Sequence, residues 1–170
     1  DVIPGKTPIG VVFDTSKKVP STTILVDTPG LSSSDPRHRQ ALVNFLPQSD
    51  AILLVTDVNQ QLTRSITDFV RTMELAKRPI FLVVTKCDTK SAQDLEQVRK
   101  YIGDNIQLPI QQIVCVSAMK DDMQELFSLF SKIQDEKADI VKQVDAVRMQ
   151  YVVKNLLGQI EELLKSSSSD

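Results

Sequence analysis

The sequence predicts an α/β fold, a mostly parallel sheet flanked by helices, and three observations carry that prediction. Residues 51–56, 79–84 and 113–116 are continuously apolar rather than alternating, the pattern of strands buried on both faces. Stretches with helical spacing separate them, as in parallel sheets with right-handed crossovers. Polar clusters follow the apolar runs, and in such sheets ligands bind beyond the carboxyl ends of the strands.

The elements follow in order. Residues 9–14 and 22–27 read as strands parted by the polar turn Thr15-Ser16-Lys17-Lys18, a hairpin-like pair. A Ser-, Asp- and Pro-rich loop at 32–37 leads to a short helix over 38–46, stopped near Pro47. After the strand at 51–56, Ile66, Phe69, Val70 and Met73 mark a helix over 63–76. The strand at 79–84 is followed by a helix over 91–102, with Ser91 placed to cap it. The strand at 113–116 is followed by a helix over 121–133. From residue 135 the apolar positions Val141, Val144, Val152, Leu156, Ile160 and Leu163 recur at helical steps, with no strand after them. This predicts a long amphipathic helix over 135–165, which either packs on its own domain or leaves it as a stalk. Residues 166–170, ending in Ser-Ser-Ser-Asp, read as a disordered tail. The domain proper is then 1–134.

Composition narrows the function. Of 170 residues, 41% are hydrophobic and 25% charged, and one core can be buried. A formal net charge of −2 gives no global attraction to nucleic acid or an anionic membrane, so neither is expected as a direct partner of this chain. Cys87 and Cys115 fit no metal spacing and suggest no disulfide framework, so a reduced, cytoplasmic setting is expected.

Two segments at strand ends carry the chemistry. Asp27-Thr28-Pro29-Gly30 sets a carboxylate where it can hold Mg²⁺ through a water, and Gly30 leaves its backbone N–H open to a terminal phosphate. The same four residues also make a good β-turn. In Thr85-Lys86-Cys87-Asp88 the Asp88 carboxylate can accept two hydrogen bonds from the N1–H and N2–H₂ edge of guanine, which adenine does not offer. The Lys86 stem can lie along the base, and Thr85 can tie the loop to its neighbours. Ser117-Ala118, after the next strand, can offer the Ala118 N–H to guanine O6.

The ordered set Asp27-Thr-Pro-Gly, Thr85-Lys-Cys-Asp and Ser117-Ala resembles a P-loop GTPase domain. Asp1-Val-Ile-Pro4 with Pro8, and the run from Asp50 through Asp57-Val-Asn-Gln-Gln-Leu-Thr63, narrow the resemblance to dynamin-family GTPases, which Thr at position 85 also suits. The long C-terminal helix is similar to the passage into a helical neck in bacterial dynamin-like proteins. The resemblance implies GTP and GDP as substrate and product, with Mg²⁺. It also implies a homodimer across the nucleotide face, and membrane work through regions outside this chain, in a protein cytoplasmic or peripheral to the membrane. Two other readings stay open: a GTPase of ribosome or tRNA maturation, and a degenerate GTPase fold acting as an interaction module.

The resemblance has a gap. Gly5-Lys6-Thr7 lacks the Gly five residues earlier that a phosphate loop needs, and Pro8 follows directly. The phosphate loop, its strand and its helix are therefore expected upstream of Asp1. That strand would lie between those ending at Asp27 and Thr56, so two unpaired edges and an exposed apolar face are expected. The first switch reads Pro8-Ile9-Gly10, which leaves Thr7 only a displaced candidate for the Mg²⁺ shell. No residue presents itself as catalytic. By itself the chain is expected to bind GTP weakly or not at all.

Overall fold

A computed structural model describes residues 10–12, 19–28, 30–31, 36–60, 62–75 and 78–167. Gly5-Lys6-Thr7, the polar turn at 15–18, Pro29 and the end of the tail at 168–170 lie outside them.

Strands β1 (Gly10–Val12) and β2 (Leu25–Asp27) pair antiparallel, as the hairpin pattern predicts. Helix α1 (Pro36–Phe45) follows, and a 3-10 turn at Leu46–Gln48 closes it. Then β3 (Ile52–Asp57), α2 (Arg64–Leu75), β4 (Ile80–Thr85), α3 (Ala92–Ile106), β5 (Ile113–Cys115) and α4 (Gln124–Asp135) alternate. The last helix, α5 (Lys137–Ser167), continues two residues into the segment read as tail.

A three-stranded parallel sheet in the order β3-β4-β5 is the centre of the fold, and the β1-β2 pair forms a separate sheet. The register runs Ile52 against Ile80 to Asp57 against Thr85, and Leu82 against Ile113 to Val84 against Cys115. Every residue of β4 except Thr85 is buried, because both faces are covered. Ile80, Leu82 and Val84 join Val70, Met73 and Ile106 from α2 and α3. Phe81 and Val83 turn the other way, toward Val114, Val116 and Leu129 of α4. The alternation of side chains along a strand thus builds one core on each face.

β3 departs from this. Its run is as apolar as that of β4, yet it is mostly half-buried and Val55 is 62% exposed. Among the described residues its second edge has no paired strand. This agrees with the expected exposed face, and it also means that β2 does not share a hydrogen-bonded sheet with β4 and β5.

The far edge of β5 is closed by a side chain. Glu125 on α4 accepts the Cys115 N–H at 2.9 Å, and Arg99 on α3 grips both Glu125 oxygens, at 2.9 and 3.1 Å. The same Arg99 donates to the Ile113 carbonyl at 2.8 Å. Burial pushes the Glu125 carboxyl up, but Arg99 and the Cys115 N–H outweigh it and hold it below the ordinary range. An edge blunted this way cannot template another strand.

Candidate functional site

The loops after β3, β4 and β5 meet at the carboxyl rim of the sheet. The β4 loop, beginning at Thr85, is fastened on both sides. Thr85 Oγ1 donates to the Thr56 carbonyl at 3.1 Å, and its own carbonyl accepts the Val58 N–H at 3.0 Å. The Cys87 N–H reaches across to the Val116 carbonyl at 3.1 Å. Lys86 adopts the left-handed conformation, φ 60° and ψ 32°, which costs a non-glycine residue about 1–2 kcal/mol. A 3-10 turn at Cys87–Thr89 follows it directly.

Asp88 is held by the next loop. Buried Ser117 donates from Oγ to Asp88 Oδ1 at 2.6 Å and accepts the Lys120 N–H at 3.3 Å. Oδ2 of Asp88 has no partner among the described residues, so the carboxylate is aimed while keeping acceptor capacity. The Ser117 backbone pairs both ways with Asp122 at 2.9 Å, which fixes the turn that carries Ala118. Ala118 is exposed, and its N–H has no partner among the described residues. Thr85, Lys86, Asp88, Ser117 and Ala118 are therefore brought together at one rim of the sheet.

Asp27 and Gly30 stand apart. Asp27 closes β2 and is exposed, and a side chain added at Gly30 would meet nothing within 4 Å. Among the described residues no hydrogen bond joins β2 to the three-stranded sheet. Among the described residues the base-side residues share the three-stranded sheet and Asp27 closes the separate hairpin, as expected where the strand between β2 and β3 lies outside this chain.

Asp57 was missed. It ends β3, and its Oδ2 lies 2.6 Å from Lys86 Nζ. Its Oδ1 accepts the Asn59 N–H at 2.8 Å. Lys86 and Asn59 hold the Asp57 carboxyl below its usual range, and Asp57 raises Lys86 in return. An aspartate closing an apolar strand, one register step from a lysine loop, is the only sequence signal for it.

Cys87 and Cys115 are free and buried in one cluster. Burial raises both thiols, that of Cys115 to about 12, so neither is a thiolate near neutrality. Among the described residues no group of three or more potential ligands could hold a metal. No helix among them is long and apolar enough to cross a membrane.

Comparison with known proteins finds dynamin-like proteins and, beside them, GTPase Era of Staphylococcus haemolyticus, 30% identical over 51% of this chain and 32% of its own length. Residues 8–88 match the model of the dynamin family. Dynamin-like protein A of Bacillus subtilis is 22% identical over 93% of this chain and 14% of its own length. Dynamin-like protein 1 of Campylobacter jejuni is 26% identical, covering 81% of this chain and 23% of its own. The chain therefore spans less than a quarter of either relative. Among solved structures, a chain of an oligomerised bacterial dynamin pair, described as sensing and tethering membranes at long range, aligns over 83% of this chain and 30% of its own. The TM-score there is 0.55 at 22% identity, a likeness of fold.

Proposed function

We propose that this chain, whose residues 8–88 match the dynamin-family model, carries part of a dynamin-family GTPase domain and supplies the guanine-recognising side of a GTP site. The protein it serves would hydrolyse GTP to GDP and phosphate. The observation that carries this reading is the Ser117–Asp88 hydrogen bond, which aims the Asp88 carboxylate beside an open Ala118 N–H. A carboxylate accepts from guanine N1–H and N2–H₂, and an N–H donates to O6; adenine inverts both requirements.

Asp27 is the residue here that fits Mg²⁺, since that ion takes one or two carboxylates, often with intervening waters, and completes its shell with phosphate oxygens. Mg²⁺ held there would neutralise charge on the phosphates. Gly30 would present its N–H to the terminal phosphate without steric obstruction. Catalysis of this kind is positioning and charge stabilisation, so the described residues contribute orientation. Dimerisation across the nucleotide face, a cytoplasmic or peripheral location, and work on membranes through other regions belong to the same proposal.

Phosphate contacts supply much of the binding energy for a nucleotide, and among the described residues only Asp27 and Gly30 stand ready for them. Calorimetric titration of this chain with GTP and Mg²⁺ is expected to give affinity weaker than micromolar. Guanine nucleotides should nevertheless displace one another where adenine nucleotides do not. Equal binding of GDP and ADP would overturn the base-side reading.

A further inference from the structure

Lys86 is the one residue of the base loop held in left-handed backbone geometry, and its surroundings form a closed ring. Lys86 Nζ meets Asp57 Oδ2 at 2.6 Å, and Asp57 Oδ1 accepts the Asn59 N–H at 2.8 Å. Asn59 Nδ2 reaches Thr89 Oγ1 at 3.4 Å, and Thr89 Oγ1 returns to the Lys86 carbonyl at 2.8 Å. Both ends of Lys86 are thus gripped, one by the loop after β3 and one by its own loop.

We propose that Asp57, oriented by Asn59, is a positioning residue for guanine nucleotides, which shapes the Lys86 loop before the base arrives. The inference rests on reading Thr85–Asp88 as the base loop. Asp57 does not itself touch the nucleotide. It neutralises the ammonium and draws it sideways, so that what a two-thirds-exposed Lys86 offers to solvent is its methylene stem. A purine face packs on such a stem at little desolvation cost, whereas a free ammonium would have to shed water to let the ring approach. Strain at a residue between Thr85 and Asp88 is the kind a functional loop keeps when its neighbours over-determine it. Exposed ion pairs add little to global stability, so the pair is better explained by placement than by folding.

The test uses the full chain, titrated with GDP and with ADP by NMR at millimolar concentration, with amide hydrogen exchange measured without nucleotide. Asp57→Asn keeps the shape and the Asn59 contact but removes the charge. It should weaken GDP binding about tenfold, the scale of one lost charge-assisted contact, while the melting temperature hardly moves. Asp57→Glu should recover most of the affinity. Exchange at the Thr89 and Val58 amides should quicken in Asp57→Asn, while Leu82 in β4 stays protected. Unchanged GDP affinity in Asp57→Asn, or unchanged exchange at those loop amides, would overturn the role of Asp57. If the unaltered chain binds GDP and ADP alike, the base-loop reading fails, and the exchange comparison still decides whether Asp57 shapes the loop.

Discussion

Single side chains decide the chemistry at the rim, and their charges set its pH range. Asp57 is held below the ordinary carboxylate range and Lys86 above the ordinary lysine range, each by the other. A depressed carboxyl contributes stability above its unfolded value of about 4 and loses it as pH falls through the lower folded value. A raised lysine contributes below its unfolded value of about 10.4 and loses it as base rises past the higher folded value. The melting difference between the native chain and Asp57→Asn, small throughout, should therefore be flat from about pH 5 to pH 9 and vanish in stronger acid. A difference peaking inside that window would show another titrating group at work. Asp88 makes a sharper prediction. Asn at that position offers one acceptor and one donor where guanine presents two donors, so Asp88→Asn should weaken GDP by at least about tenfold. Competition binding against labelled GDP reads this directly, and unchanged affinity would remove Asp88 from base recognition.

At the scale of elements, the Arg99–Glu125 clamp joins α3, β5 and α4, and its loss should be felt throughout the sheet. Arg99 satisfies the Ile113 carbonyl and both Glu125 oxygens from a site only 15% exposed. Arg99→Ala should cost about 2 kcal/mol, and lower the melting temperature by roughly 4–8 °C for a chain of this size. Lys in its place should recover little, because one ammonium does not reproduce a fork of donors. A thermal melt of Arg99→Ala within a degree of the parent would mean that the clamp is decorative. The strands themselves were legible, because a run such as residues 80–84 is apolar at every position only if both faces are covered. The clamp was not, since it joins residues 26 positions apart through a geometry that periodicity does not encode. Asp57 was hidden for the same reason: its partner Lys86 lies one strand away, and only the register of Asp57 against Thr85 brings them together. Thr85–Asp88 was legible because its chemistry is local.

Across the whole molecule, the two ends of α5 differ in what they touch. Its first turns belong to the domain: Ile140 and Val144 are buried, and Arg148 bonds the Pro47 carbonyl at 3.1 Å and pairs with Asp50 at 3.4 Å. Beyond it the apolar residues Val152, Leu156, Ile160 and Leu163 are all about half exposed or more, Leu163 at 68%. At about 100° per residue these four centre roughly 135° around the helix from Ile140 and Val144. One amphipathic pattern therefore covers two regimes: the first turns face this domain, whereas residues 151–166 are exposed on every side apart from Gly158. Stability should divide in the same place. Val144→Asn buries an amide without partners in the core and should cost about 2–3 kcal/mol, read as a clear fall in melting temperature. Leu156→Gln with Leu163→Gln changes only exposed positions, and should leave the melt within the roughly 0.5 kcal/mol of ordinary surface substitutions. Calorimetry of the two variants side by side separates the cases. If the double glutamine variant loses as much as Val144→Asn, the distal stripe packs on the domain after all, and α5 carries a single face.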